Sequence, residues 1–253
     1  MLERLRNARL IWPTLSALAG LAVLIGLGTW QLERKRWKED LLTRIGARVN
    51  AEPIALQEAE RRARDGADVD YLHVIANGRF HHDKERYLYA PAPASLAWHV
   101  YAPLELPDKR VLWVNRGAVP DARKNPATRV EGQVAGEQSV RGLVRVPAGR
   151  ARFAPDNAPD ANIWYWPELD AMTASVFGTQ KVAVVPFAVD ADAQPRPPGG
   201  LPQGGVTRIA LPNRHFEYAL TWYGLALALV AVYLAFFVNR LRLPRTDPGC
   251  NSG

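Results

Sequence analysis

The chain has 253 residues, of which 48% are hydrophobic and 23% are charged, and its net charge is +7. This composition excludes a disordered protein, but the charges are distributed unevenly. No charged side chain occurs from Leu10 to Leu32 or from Tyr218 to Asn239. Each run exceeds the roughly 20 residues that a helix needs to cross about 30 Å of hydrocarbon. The sequence therefore predicts a membrane protein with two spanning helices.

The first apolar run predicts an uncleaved anchor. A cleaved signal peptide has an apolar core of about 7–15 residues and ends at a small-x-small site. This run is longer, and it ends in Gly28-Thr29-Trp30-Gln31. We expect a cytoplasmic tail at 1–9, a transmembrane helix at 10–32 and a continuation of that helix to 49.

The second apolar run predicts a transmembrane helix at 213–239, followed by a cytoplasmic tail at 240–253. Short basic flanks stay in the cytoplasm, and both tails are basic, which leaves 33–212 on the outer side. Since the tails account for +4 of the net charge, the remaining +3 gives no indication of a nucleic-acid partner. The single cysteine, Cys250, lies in a tail, which excludes a disulfide framework or a thiol oxidoreductase outside.

The residues between the spans predict one mainly antiparallel β domain with one or two short helices, so the fold class is an α+β membrane protein. Short β-type runs are separated by turn residues, at 71–76, 85–90, 98–106, 110–117, 139–146 and 181–190. Helical spacing occurs at 57–66 and 169–178. The Pro- and Gly-rich segment 194–205 reads as a linker.

Motifs for catalysis are absent from the sequence, which predicts that the protein is not an enzyme. Its serines lack a G-x-S-x-G context, and no phosphate-binding G-x-x-x-x-G-K-[ST] loop occurs. The run His81-His82-Asp83 is conceivable as a metal site, but a solvated loop is the favoured interpretation. His73 and His99 lie in strand-like runs, and we expect them to be half-buried structural residues.

His215 is the one histidine beside an apolar run, where an ionisable group near the bilayer is costly. In a helix, His215 would share a face with Tyr218, Ala219 and Trp222. That face suits a flat amphipathic macrocycle with His215 as the axial ligand of its iron. From spacing alone, a histidine that caps the helix or bonds lipid headgroups is the alternative.

Six blocks of residues follow one another along the chain. They are Gly28-x-Trp30-Gln31-Leu32-x-Arg34, Tyr71 with Gly78-x-Phe80, Pro103-Leu104, Val114-Asn115-Arg116-Gly117 with Val119-Pro120, Pro155-x-Asn157-x-Pro159 with Trp164, Asp170 and Met172, and Asn213-x-His215-x-x-Tyr218-Ala219-x-x-Trp222. In this order the chain resembles the surfeit-locus protein 1 family, inner-membrane assembly factors for cytochrome c oxidase. Ala118 departs from the family pattern, which has tryptophan there.

The resemblance implies a bacterial inner-membrane protein with its main domain in the periplasm and both termini in the cytoplasm. It implies binding of haem a, and its insertion into the largest subunit of a haem-copper oxidase. His215 would ligate the iron, Trp222, Tyr218 and Trp30 would line the site, and Arg34 or Arg116 would pair with a propionate. The expected partners are that subunit, the enzymes of haem a synthesis and membrane lipid.

Two alternatives remain open. The first is a haem-free scaffold that stabilises a partly assembled oxidase subunit, using the small-xxx-small pairs of the spans and the β domain. The second is a two-span regulator of surface polysaccharide length, which the absence of sustained heptads in the outer domain disfavours.

Overall fold

The structure, a computed structural model, describes residues 10–92, 95–207 and 213–242. The predicted tail at 1–9 and the end of the predicted tail at 240–253, with Cys250, lie outside these residues. The chain divides into two compact units, Met1–Thr43 with Ala210–Gly253 and Arg44–Ile209. The first unit contains the two apolar helices and the second contains the β domain.

The apolar helices are α1, Ile11–Val49, and α4, His215–Arg242. Each contains a stretch long and apolar enough to span a membrane. At 1.5 Å per residue, the 39 residues of α1 extend about 58 Å, twice the hydrocarbon thickness. The second half of α1 therefore has to leave the bilayer, in agreement with the charged residues that begin at Glu33.

The two helices pack as an antiparallel hairpin. Gly20 of α1 faces Leu229, Gly28 faces the ring of Tyr223, and Gln31 contacts His215, so positions rise along α1 as they fall along α4. A Cβ atom on Gly28 would lie 2.8 Å from the Tyr223 ring. Gly28 therefore allows the helices to approach closely at this point, whereas a Cβ atom on Gly26 or Gly224 would meet nothing within 4 Å.

The β domain contains seven strands and two short helices. In chain order they are β1 Ile54–Ala55, α2 Leu56–Arg64, β2 His73–Phe80, β3 Arg86–Ala92, β4 Ser95–Glu105, β5 Val111–Pro120, β6 Glu137–Arg145, α3 Leu169–Phe177 and β7 Val184–Ala191. Most strand pairs are antiparallel, while β1–β2 and β5–β7 are parallel. These elements confirm the predicted fold class, two spans flanking a mainly antiparallel β domain.

Five of the strands close into a small barrel. The order β2-β6-β7-β5-β4 returns to β2 through a short pairing of Arg79 with Glu105 and Phe80 with Leu104. The alternate residues of these strands point inward, as period-2 patterning requires. The barrel core is aliphatic, with Val74, Leu104, Leu112, Val114, Val144, Phe187 and Val189 almost fully buried, and α2 contributes Leu56 and Ala59.

A second, smaller core lies on the outer face of the barrel, beneath α3. Trp113, Trp164 and Met172 are fully buried there. The indole of Trp113 donates to the Thr173 hydroxyl at 2.9 Å, which satisfies the one polar atom that this ring carries into the core. The helix predicted at 169–178 is therefore held to the sheet by both apolar contact and a hydrogen bond.

The segment predicted as a linker, 194–205, is bonded to the barrel. Gln203 and Ala118 exchange two backbone hydrogen bonds of 2.9 Å, and Gly205 donates to Ala191 at 2.8 Å. Gly117, with φ of +117°, lies directly beneath: a Cβ atom there would be 2.0 Å from the Gln203 carbonyl oxygen. The backbone of this segment, rather than its few apolar side chains, attaches it to the domain.

We expect Gly117→Ala to destabilise the β domain by about 3 kcal/mol, because it combines an unfavourable φ with a backbone clash. Gly136→Ala is the matched control, since Gly136 has φ of +89° but open space around its Cα. The free energy of unfolding of the control should decrease by about 1 kcal/mol. Urea unfolding of the detergent-purified protein measures both, and equal losses would contradict a tight contact with 194–205.

Candidate functional site

The predicted histidine is the first residue of α4 and is bonded to α1. His215 Nδ1 lies 2.7 Å from Gln31 Oε1. A carboxamide oxygen only accepts, so Nδ1 carries the hydrogen and donates it. In the neutral imidazole the other ring nitrogen, Nε2, keeps its lone pair, and none of the described residues forms a hydrogen bond to it. The imidazole is thus oriented with one nitrogen available as an electron-pair donor.

The predicted face of α4 is present in the structure. Ala219 is buried against the hairpin, Trp222 is half-buried, and Tyr218 is 54% exposed. His215 is itself half-buried. Exposure therefore increases across this face, from Ala219 in the contact between the helices to the aromatic ring of Tyr218 on the surface.

Two predicted residues of α1 lie beside Gln31 along the chain. The Trp30 ring is 54% exposed. Arg34 places its guanidinium carbon 4.0 Å from the centre of the Trp37 ring, a cation–π contact that leaves its N–H donors in plane and accessible. No ion pair involves Arg34 within the part of the chain that the structure describes. Its charge is therefore available to an anionic group.

A buried acceptor precedes the histidine. The side-chain oxygen of Asn213 is buried and makes no hydrogen bond with the described residues. A buried oxygen without a donor is costly in free energy. Asn213 opens the same sequence motif as His215.

Arg116, the sixth predicted residue, belongs to the β domain unit. Its side chain is 9% exposed. Its Nη1 donates to His82 Nδ1 at 3.2 Å and lies 3.5 Å from the Glu85 carboxylate, and its Nη2 donates to the Gly132 carbonyl at 2.6 Å. The structure thus brings five of the six predicted residues onto the hairpin, while the role of Arg116 toward a propionate stays a prediction.

Arg116 is part of a buried charge cluster, which we define as Glu85, Arg129, Arg116, Tyr87 and His82. Glu85 is bound by Arg129 through both oxygens, at 2.5 and 3.1 Å, and it accepts from the Tyr87 hydroxyl at 3.1 Å. Burial raises the pKa of Tyr87 well above its ordinary value, which keeps this donor protonated. Burial also lowers the pKa of Arg116, whose charge only Glu85 opposes directly.

His82 is neutral in this cluster. Its Nε2 lies 3.0 Å from the Val134 carbonyl and must donate, while its Nδ1 accepts from Arg116. Burial lowers the pKa of His82, and the nearby Arg116 and Arg129 lower it further. The solvated loop expected at His81-His82-Asp83 is therefore only partly solvated. Among the residues described, no group of three metal-binding side chains occurs.

One residue of the site was missed by sequence reasoning. Gln31 was noted only as part of a motif, although it is the sole carboxamide in the charge-free run Leu10–Leu32. A polar side chain with two donors and an acceptor in such a run requires a partner. That signal could have identified Gln31, but not which residue of α4 it meets.

Comparison with known proteins places most of the chain in one sequence family. The sequence model of the SURF1 family matches residues 18–227. Surfeit locus protein 1 of Mus musculus is 37% identical over 235 residues, which cover 87% of this chain and 74% of the mouse protein. The human protein of the same name is 35% identical over 85% of this chain and 74% of its own length. A SURF1-like protein of Monosiga brevicollis is 34% identical over 90% of this chain and 88% of its own.

The neutral state of His82 makes the β domain sensitive to acid. Because its pKa is lowered on folding, the unfolded chain binds the proton first as the pH falls below about 6.5, and the free energy of unfolding decreases until the folded-state pKa is reached. We expect His82→Gln to reduce this decrease, since a carboxamide can make both hydrogen bonds without titrating. Urea unfolding of wild type and variant at pH 7.5 and 5.5 measures the difference. Equal decreases in the free energy of unfolding of the two proteins would contradict a neutral His82 in the folded state.

Proposed function

The chain belongs to the SURF1 family, and on that premise we propose that it is an assembly factor for a haem-copper (cytochrome c) oxidase. In this proposal it binds haem a and assists its insertion into the largest oxidase subunit. The observation that carries the proposal is the hydrogen bond from His215 Nδ1 to Gln31, which leaves Nε2 free to ligate iron. The enzymes of haem a synthesis would supply the ligand.

The histidine has the arrangement that metal-binding imidazoles require. Such a histidine almost always donates its other N–H to a neighbouring acceptor, which fixes the tautomer and the ring orientation. Gln31 supplies this acceptor from the opposite helix. The imidazole would therefore already be oriented as a ligand when haem binds.

The surroundings of His215 suit the rest of the haem. Trp222, Tyr218 and Trp30 offer aromatic surface to an apolar macrocycle, and two of these rings are more than half exposed. Arg34, which has no ion pair in the described hairpin, offers a cation to a propionate. These residues bind and orient a ligand; none forms a nucleophile–base pair, so the proposed activity is that of a carrier rather than an enzyme.

The proposed location is the bacterial inner membrane, with both termini in the cytoplasm and the β domain in the periplasm. Arg240 and Arg242 end α4, as the preference of basic residues for the cytoplasmic side requires. His215 begins the same helix, so it would lie at the outer surface of the bilayer. A haem held there stays in contact with lipid and faces the compartment of the β domain.

The haem-free scaffold is the alternative that a specific feature favours. An open apolar groove runs along the hairpin, and it is lined by Ser16, Ala17 and Gly20 of α1 and by Leu229, Val232 and Phe236 of α4. Small residues on one wall suit close packing of a further helix, such as one from the oxidase subunit. In that case the purified protein would carry no haem but would copurify with the subunit.

We expect His215→Ala to abolish haem retention, because it removes the iron ligand without charging the hairpin. The optical spectrum of the protein purified from cells that make haem a measures the bound haem. His99→Ala is a control, since it removes a half-buried histidine of the β domain. A wild-type spectrum for His215→Ala would refute the ligand role, and a wild-type protein without haem would favour the scaffold.

We expect Gln31→Leu to weaken haem binding about 10-fold to 100-fold, because the imidazole loses the acceptor that orients it. Gln31→Glu should retain haem, since a carboxylate also accepts from Nδ1. Haem titration of the protein purified without haem measures both affinities. An equal loss of haem affinity in the two variants would show that the hydrogen bond to His215 does not determine haem binding.

A further inference from the structure

A pocket on the β domain adjoins the buried charge cluster. Its volume is about 190 Å³, and Phe80, His82 and Arg116 form one wall. Arg141 of β6 and Arg196 of the 194–205 segment form parts of the others. This pocket belongs to the β-domain unit, whereas His215 belongs to the hairpin unit.

The charge cluster contains more positive than negative charge. Arg116 and Arg129 are 9% and 2% exposed, and Glu85 is the only carboxylate within 4 Å of either guanidinium among the described residues. His82 is neutral, so it does not alter this balance. Two buried cations thus share one anion, and a buried charge without a full counter-charge is costly.

The other charged groups of the pocket increase the imbalance. Arg141 and Arg196 are exposed and make no ion pair with any residue that the structure describes. The one carboxylate on the pocket wall, Asp192, already has a partner, because the His73 ring contacts it at 2.8 Å. The pocket therefore combines three arginines with one carboxylate.

The geometry of Arg116 leaves part of its guanidinium for a ligand. Nη1 and one hydrogen of Nη2 are used by His82, Glu85 and the Gly132 carbonyl. The Nε–H and the second Nη2 hydrogen make no hydrogen bond with the described residues. These are the donors of Arg116 that remain for the oxygens of an anion.

Part of the remaining pocket wall is apolar, while Gln138, Ser139 and Gln194 supply polar groups, and the pocket has the size of a small ring compound. Phe80, Val134, Val140 and the prolines at 195, 197 and 198 supply hydrocarbon surface. A cavity of about 150 Å³ is known to be large enough for benzene. The pocket thus has room for the apolar part of a small molecule beside its arginine side chains.

We propose that this pocket binds a small organic carboxylate, with the carboxylate on Arg116 and its apolar body against Phe80 and Val134. Arg141 and Arg196 attract the anion and flank it. Binding supplies the counter-charge that the two buried arginines lack, which is why an anion is favoured over a neutral molecule of the same shape.

Benzoate and benzamide are probes that share one shape and differ in charge. Equilibrium dialysis of the detergent-purified full-length protein against radiolabelled benzoate, at fixed ionic strength and corrected with detergent alone, should give saturable binding of one benzoate per chain. Arg141→Gln and Arg196→Gln should each weaken it about 3-fold to 10-fold. Both side chains are exposed, so thermal unfolding of the unliganded variants should match that of the wild type.

Arg64→Gln is the matched control, because Arg64 is an exposed arginine outside the pocket. It should leave benzoate binding unchanged. The proposal is overturned by equal binding of benzamide, by an equal loss in Arg64→Gln, or by no saturable binding at millimolar benzoate. Tighter binding of inorganic phosphate than of benzoate would also overturn it, since the apolar wall would then have no role.

Discussion

The lack of hydrogen-bonding solvent inside a bilayer is the constraint on which the hairpin depends. Polar side chains in the two spans have to form hydrogen bonds within the protein, and the threonine hydroxyls also donate to backbone carbonyls of their own helix. Between the helices, Thr14 pairs with Tyr233, Thr29 with Tyr223 and Gln31 with His215. The three pairs fix the helix register, and the last of them lies at the start of α4. The proposed iron ligand is thus oriented by the same kind of contact that joins the helices.

The β domain is subject to a different constraint, because it buries charged side chains that need counter-charges. Glu85 accepts hydrogen bonds from Arg129 and from the Tyr87 hydroxyl, and the side chains of Glu85 and Arg129 are almost fully buried. Breaking such a pair costs more than the pair contributes, because it leaves one charge uncompensated. Arg116 adds a second cation to this arrangement, and it also lines the pocket described above.

The sequence was sufficient for features that depend on local periodicity, and insufficient for features that depend on distant partners. Charge-free runs predicted both spans, helical spacing predicted both short helices, and β-type runs predicted six of the seven strands. They could not predict β1, which is two residues long, or the closure of the barrel, which rests on two residue pairs of β2 and β4. The bond between Gln31 and His215 depends on helix register across 184 residues. The 194–205 segment looked like a linker because its attachment uses backbone atoms, which composition does not report.

The nature of the residue beside His215 bears on the proposed role in haem transfer. A carboxylate bonded to Nδ1 would make the imidazole more basic and the iron bond stronger. Gln31 offers a neutral acceptor in its place, so it orients the ring with less effect on its basicity. A carrier has to release its ligand to the next protein, and a strong iron bond opposes that release. Orientation without strong activation therefore suits the proposed role of a transfer site.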